Sequence, residues 1–180
     1  MTTHNGATKP TITFAVTTWV GAPPEVTFGV LADPRTHLES MGRQAPADNF
    51  KLLTLESGDE PARVGTVFTS TGSNGMGMVF HDRSEVTEVS APRVFAFTTS
   101  ARLVRKRRRA WQARFEHRYE VVGDGTGSRI EYTARVFPLN YRPYWLHPMM
   151  RPMTRIMVPR MMGANLRQFA KLAERTAAAA

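Results

Sequence analysis

Apolar and polar residues alternate from Ile12 to Val20, with Ile12, Phe14, Val16 and Val20 on one side and Thr13, Ala15, Thr17 and Trp19 on the other. That period of two predicts a strand. The rhythm breaks at Ala22-Pro23-Pro24-Glu25, where proline in the first turn opens a short helix that Val26, Val30 and Leu31 carry to about Ala32. Asp33-Pro34-Arg35 is a second N-cap and proline opening, so another brief helix follows through Leu38 and Met41.

From Phe50 onward the pattern predicts six further strands: Phe50 to Glu56, Val64 to Thr71, Met76 to Val89, Arg93 to Ala101, Arg109 to Val122 and Arg129 to Phe137. Turn residues part them at Ser57-Gly58-Asp59-Glu60-Pro61, Gly72-Ser73-Asn74-Gly75, Ala91-Pro92 and Gly123-Asp124-Gly125-Thr126-Gly127, which suits successive antiparallel hairpins. Pro148 to Arg175 returns to helical spacing. Met150, Met153 and Met157 share one face there, while Val158, Met162, Leu166, Phe169 and Ala173 define another, rotated by roughly 100°. The change falls at Pro159, which predicts a kink or short break.

The order of strand, two short helices, six antiparallel strands and a long C-terminal helix resembles the START-like superfamily, which includes polyketide cyclase/dehydrase, lipid-transport and birch-allergen proteins. The local pieces that carry the likeness are the run from Ala22 to Pro34, the strand and turn from Val86 to Arg93, and the helix from Asn165 to Leu172. The resemblance implies an α+β helix-grip fold, in which a curved seven-stranded antiparallel sheet and the long helix enclose a cavity for sterols, quinones, polyketides or other apolar molecules. It implies no shared catalytic motif. One domain over residues 11–176 is expected, between a flexible N-terminus at residues 1–10 and a frayed tail at residues 177–180.

Candidate chemistry comes from the sixth strand, where Trp111, Ala113, Phe115, His117, Tyr119 and Val121 share one face and Gln112, Arg114, Glu116, Arg118 and Glu120 the other. The aromatic face points inward. His117 is then an imidazole among apolar neighbours, held neutral by burial, and it serves either to orient a ligand and shuttle a proton or as a structural histidine satisfied by Tyr119, Tyr132 or water. Tyr132, on the inner face of the seventh strand, is expected to act mainly by packing its ring. Methionines cluster at Met76 and Met78 and from Met149 to Met162, as adaptable cavity lining or as ordinary core. Trp111, Phe115, His117, Tyr119, Tyr132, Met153 and Met157 are the expected ligand-binding set. His81 and Asp82 are adjacent on a strand and point to opposite faces, so they do not cooperate directly. The Gly72-to-Gly77 run lacks the lysine and helix of a phosphate loop. With no metal-ligand spacing, nucleophile elbow or dinucleotide fingerprint, neither metal nor cofactor is expected, and catalysis, if any, is cofactor-free acid–base chemistry with His117 as its candidate.

Composition changes this picture only through charge and cysteine. The 180 residues carry a formal charge of +9, and much of the excess sits in Arg105, Lys106, Arg107, Arg108 and Arg109. That run suits peripheral contact with an anionic membrane, or else a solvated loop; RNA ranks lower because no base-stacking aromatics flank the charges. The chain has no cysteine and no apolar run long enough for a signal peptide or a membrane span, which fits a cytoplasmic protein. The expected function is binding or transport of an apolar small molecule. A polyketide cyclase or aromatase is the first alternative and a membrane or RNA surface adaptor the second.

Overall fold

The computed structural model describes residues 12–43, 51–58, 61–73, 77–105, 110–137 and 147–180, with the side chains of Arg105, Trp111 and residues 147–154 excepted. The N-terminal ten residues, Met76 and the cations Lys106, Arg107, Arg108 and Arg109 lie outside the described residues.

Strand β1 (Ile12–Val20) leads into α1 (Pro24–Ala32), α2 (Pro34–Leu38) and a π-helical turn, Glu39–Arg43. Strands β2 (Lys51–Glu56), β3 (Val67–Ser73), β4 (Met78–Ser90), β5 (Val94–Arg105), β6 (Trp111–Asp124) and β7 (Gly127–Phe137) follow, and α3 (His147–Ala178) closes the chain. Among the described residues the strands form one seven-stranded sheet in the order β1-β7-β6-β5-β4-β3-β2, antiparallel throughout. Each neighbour from β2 to β7 is the next in sequence, so hairpins suffice. Strand β1 lies at one edge beside β7 and β2 at the other, and the two short helices follow β1 on the way from the first edge to the second.

Local chemistry explains the joints. Pro24 stands in the first turn of α1, and Asp33 caps α2 by accepting a hydrogen bond from the Arg35 amide at 2.9 Å. Between β6 and β7, Asp124 pairs with Gly127 across a two-residue turn whose first residue, Gly125, has φ +62, a conformation glycine adopts without strain. Strand β3 starts at Val67 rather than Val64, because Gly65 turns at φ +87 and its amide bonds the Val86 carbonyl at 2.8 Å. Strand β5 outruns its expected end at Ala101: pairing with β4 and β6 carries it through Leu103 to Arg105.

The core lies between the sheet and the helices. Leu31 from α1, Val86, Phe95, Ile130 and Tyr132 from the sheet, and Leu166 and Phe169 from α3 are each almost fully buried. Full burial of one such side chain contributes roughly 1.5–3 kcal/mol. A buried polar knot fastens α1 to β7: the Thr27 and Ser128 hydroxyls share a 2.8 Å hydrogen bond, and Ser128 donates to the Ala22 carbonyl at 3.0 Å.

Helix α3 places Met162, Leu166, Phe169 and Ala173 inward, the stripe its spacing predicts. It packs on β1, α1 and the π-helical turn. Its C-terminal end is pinned where Glu174 accepts from the Gly21 amide at 2.9 Å and Arg175 meets Glu39 at 3.1 Å. The helix passes through Pro159 without the expected break. One missing N–H leaves the hydrogen-bond ladder intact on both sides, and the packed stripe beyond holds the rod together. No helix among the described residues is long and apolar enough to cross a membrane.

Candidate functional site

Strand register arranges the inner face of the sheet in rows. The first runs Ser70, Asp82, Ala101 and Ala113 from β3 to β6. The second runs Phe68, Ser84, Thr99, Phe115 and Val136. The third holds Val86, Phe97, His117, Ala134 and Phe14, and the fourth Phe95, Tyr119, Tyr132 and Val16.

These rows differ in bulk. In the fourth row Phe95, Tyr119 and Tyr132 are buried beneath Phe169 and the aromatic edge of α2, which leaves a filled base. Toward the β5–β6 end the inward residues become small, as at Ser70, Ala101, Ala113, Ser84, Thr99 and Ala134. Between them Asp82, Phe115, His117, Val136 and Phe14 keep part of their surface accessible, although they point inward. One end of the inner face is packed with aromatic rings, and the other combines small buried residues with partly accessible ones.

His117 lies at the boundary. Its register partner is the small Ala134, and Nδ1 meets the hydroxyl of the diagonal neighbour Tyr132 at 2.7 Å. The other side of the ring stacks on Phe97 at 4.6 Å between centroids. Burial, seconded by nearby His37, lowers the His117 pKa to about 3. A neutral imidazole that bonds through Nδ1 keeps Nε2 for a second partner. Tyr132 therefore does more than pack its ring: its hydroxyl satisfies one of the two ring nitrogens of His117. Burial, reinforced by Tyr119, raises the Tyr132 pKa well above its ordinary value, so the phenol stays protonated.

His37, on α2, was invisible to periodicity. Its Nε2 donates to the Leu31 carbonyl at 2.9 Å when the ring is neutral, and the ring packs edge-on against Phe169 at 4.9 Å, with Phe97 at 6.0 Å. Burial lowers its pKa against the smaller opposing effect of the Leu31 hydrogen bond. A helix of five residues offers no apolar stripe from which such a position could be read.

Asp82 also belongs to the inner face, between Phe80 and Ser84, while His81 faces outward as its alternation requires. The Asp82 Oδ1 atom is buried and has no hydrogen-bond partner among the described residues. Burial raises this carboxyl's pKa to about 7. Beside it, the Ser84 and Thr99 hydroxyls share a buried 2.8 Å hydrogen bond. The signal for Asp82 was its place in the alternation Phe80, Asp82, Ser84, Val86.

Of the expected ligand-binding set, the structure brings Phe115, His117, Tyr119 and Tyr132 together on one face. Met157 does not join them; it is 42% exposed, because its place on the helix lies away from the Leu166–Phe169 stripe. The Trp111 and Met153 side chains, and that of Arg105, lie outside the described residues. On the outer face Arg118 pairs with Glu88 and Glu120, and Arg114 with Glu116, exposed contacts worth roughly 0–1 kcal/mol each.

A family model described as polyketide cyclase / dehydrase and lipid transport matches residues 11–174. No curated protein matches the chain. Among solved structures, a conserved protein from Geobacillus kaustophilus superposes with TM-score 0.70 at 10% identity, over 92% of this chain and 97% of that one. Protein Ms6760 from Mycobacterium smegmatis superposes with TM-score 0.61 at 19% identity, over 92% and 93%. DynU16, a protein of the dynemicin biosynthetic locus, gives TM-score 0.56 at 15% identity, over 93% of this chain and 49% of that one. These structures share the fold: an open antiparallel sheet gripping a long C-terminal helix.

Proposed function

We propose, since the chain belongs to the polyketide cyclase / dehydrase and lipid transport family, that the open end of its inner face receives an apolar small molecule. The observation that carries this reading is the contrast along the face: the Phe95, Tyr119, Tyr132 and Phe169 end is filled, while Asp82, Phe115, His117 and Val136 point inward and stay partly accessible. A recess lined by aromatic and small residues binds chiefly by removing apolar surface from water, at roughly 25 cal/mol per Å². His117, fixed by Tyr132 and Phe97, supplies one directional contact through Nε2.

Cofactor-free cyclase chemistry is the second reading, and the family description names polyketide cyclases. The magnitude at His117 weighs against that histidine as its base. An imidazole with a pKa of about 3 takes up a proton poorly at neutral pH, whereas general acid–base catalysis works best with a group near the operating pH. Hydrogen bonding without proton transfer suits it better, so binding or transport is preferred.

Native mass spectrometry of gently purified protein, with a thermal-shift panel of quinones, fatty acids and polyketides, tests the proposal. The expected result is a co-purifying adduct or a rise of several degrees with at least one class. Neither signal across the panel would sink it. A His117→Ala variant that keeps binding but loses conversion of a polyketide-like chain would replace the carrier reading with the enzyme.

A further inference from the structure

The inner face holds a polar patch that a purely apolar ligand would leave unsatisfied. Asp82 Oδ1 is buried without a partner among the described residues, and Ser84 and Thr99 lie in the next row with their hydroxyls bonded to each other. In that pair one hydroxyl donates and the other accepts, so one O–H proton and several lone pairs remain unspent. A buried polar atom without a hydrogen bond is destabilising, so such a group needs either a structural reason or a missing partner. The sheet supplies none: Asp82's cross-strand neighbours are Ser70 and Ala101, and no ion pair involving it is present among the described residues.

We propose that Asp82 and the Ser84–Thr99 hydroxyl pair form a hydroxyl-recognising station at the open end of the recess, which binds an alcohol or phenol group of an otherwise apolar ligand. This rests on the recess reading and adds the class of ligand. A hydroxyl is the group that fits, because it both donates and accepts. Burial holds the Asp82 carboxyl near pKa 7, where both of its forms are populated at neutral pH. A carbonyl would pair only with the protonated acid, and an ammonium would have its charge matched only by the carboxylate, whereas a neutral hydroxyl pairs with either form.

Register also sets the ligand's length. Asp82 is level with Ala113 on β6, and His117 stands four residues further along that strand. Four residues span about 14 Å and two inter-strand steps about 10 Å. Together these put the two backbone positions about 17 Å apart along the diagonal of the face, and the inward reach of both side chains over the sheet brings their polar groups closer than that. The ligand class is therefore a hydroxylated apolar framework whose second hydrogen-bonding group lies at the opposite end, opposite His117 Nε2.

The test is a fluorescence titration of the full chain with 1-pyrenemethanol and 1-methylpyrene, which differ by one hydroxyl. Wild-type protein is expected to bind the alcohol at least tenfold more tightly. Asp82→Leu, which removes the carboxyl, is expected to reduce that preference to twofold or less while still binding 1-methylpyrene. Thr99→Val, nearly isosteric, is expected to lower the preference at least threefold, and it decides alone if Asp82→Leu does not fold. Equal wild-type affinities, or a preference unchanged in the variants, would overturn the station and leave the recess standing. Failure of both probes to bind wild-type protein would overturn the recess reading and the inference with it.

Discussion

A methyl group on Gly72 would collide with the Lys51 carbonyl oxygen and the Phe80 ring, both far inside ordinary contact distance. The ring could swing aside but the backbone oxygen belongs to the β2–β3 ladder, so Gly72→Ala forces the edge strand outward. The expected cost is on the order of 2 kcal/mol, read as a lower urea midpoint; an unchanged midpoint would show that β2 yields freely. Asp82 gives a second residue-scale prediction, with its sign set by linkage. Its folded pKa is raised from 3.8 to about 7, so its contribution to stability is fully present below about pH 4 and is lost as pH rises to 7. Asp82→Asn is therefore expected to gain on the order of 2 kcal/mol over wild type at pH 8 and nothing at pH 4, by urea unfolding at both. Equal differences at the two pH values would contradict the burial assigned to this carboxyl.

At the scale of elements, β6 was legible and the helices only in part. Strict alternation from Ala113 to Val121 placed Phe115, His117 and Tyr119 on the inner face, because successive strand residues have no choice of side. The same rule, applied two strands earlier on β4, also puts Asp82 inside and its neighbour His81 outside. The His117–Tyr132 bond needed register as well as period: Tyr119, Tyr132 and water were the candidate partners in the sequence, and the structure bonds His117 to the diagonal neighbour Tyr132. His37 needed long-range packing, which a five-residue helix does not announce. On α3 the Leu166–Phe169 stripe was readable from spacing, whereas the assignment of Met157 to the recess failed because one residue rotates the face by about 100°. Phe169→Ala, which empties the space against His37 and Tyr119, is expected to cost about 3–5 kcal/mol. Arg175→Ala, losing only an exposed pair with Glu39, is expected to cost less than about 1 kcal/mol. Comparable losses in their melting transitions would mean that the end pins, not the apolar stripe, hold the helix.

The whole molecule integrates these titrations. His37 and His117 have lowered pKa values, so their contribution is present above the unfolded value of 6.5 and is lost as pH falls toward the folded values. Asp82 acts oppositely over part of the same range. Two imidazoles against one carboxyl leave the unfolded chain binding more protons between about pH 4 and 6.5, so stability is expected to fall on acidification, and more steeply in Asp82→Asn. Urea midpoints measured from pH 4 to 8 check this; a flat profile would mean that the imidazoles are not enclosed as described. The proposed function follows the same plan: a packed aromatic base fixes His117 and Tyr132, and the proposed ligand takes its place over the small residues beyond them. The most direct measurement of that claim is the affinity of 1-methylpyrene for wild type and for Val136→Trp, which puts an indole into the open end from an inner-face position that is already partly accessible. The account predicts at least tenfold weaker binding with an unfolding temperature within a few degrees of wild type, whereas equal affinity in the two folded proteins would contradict it.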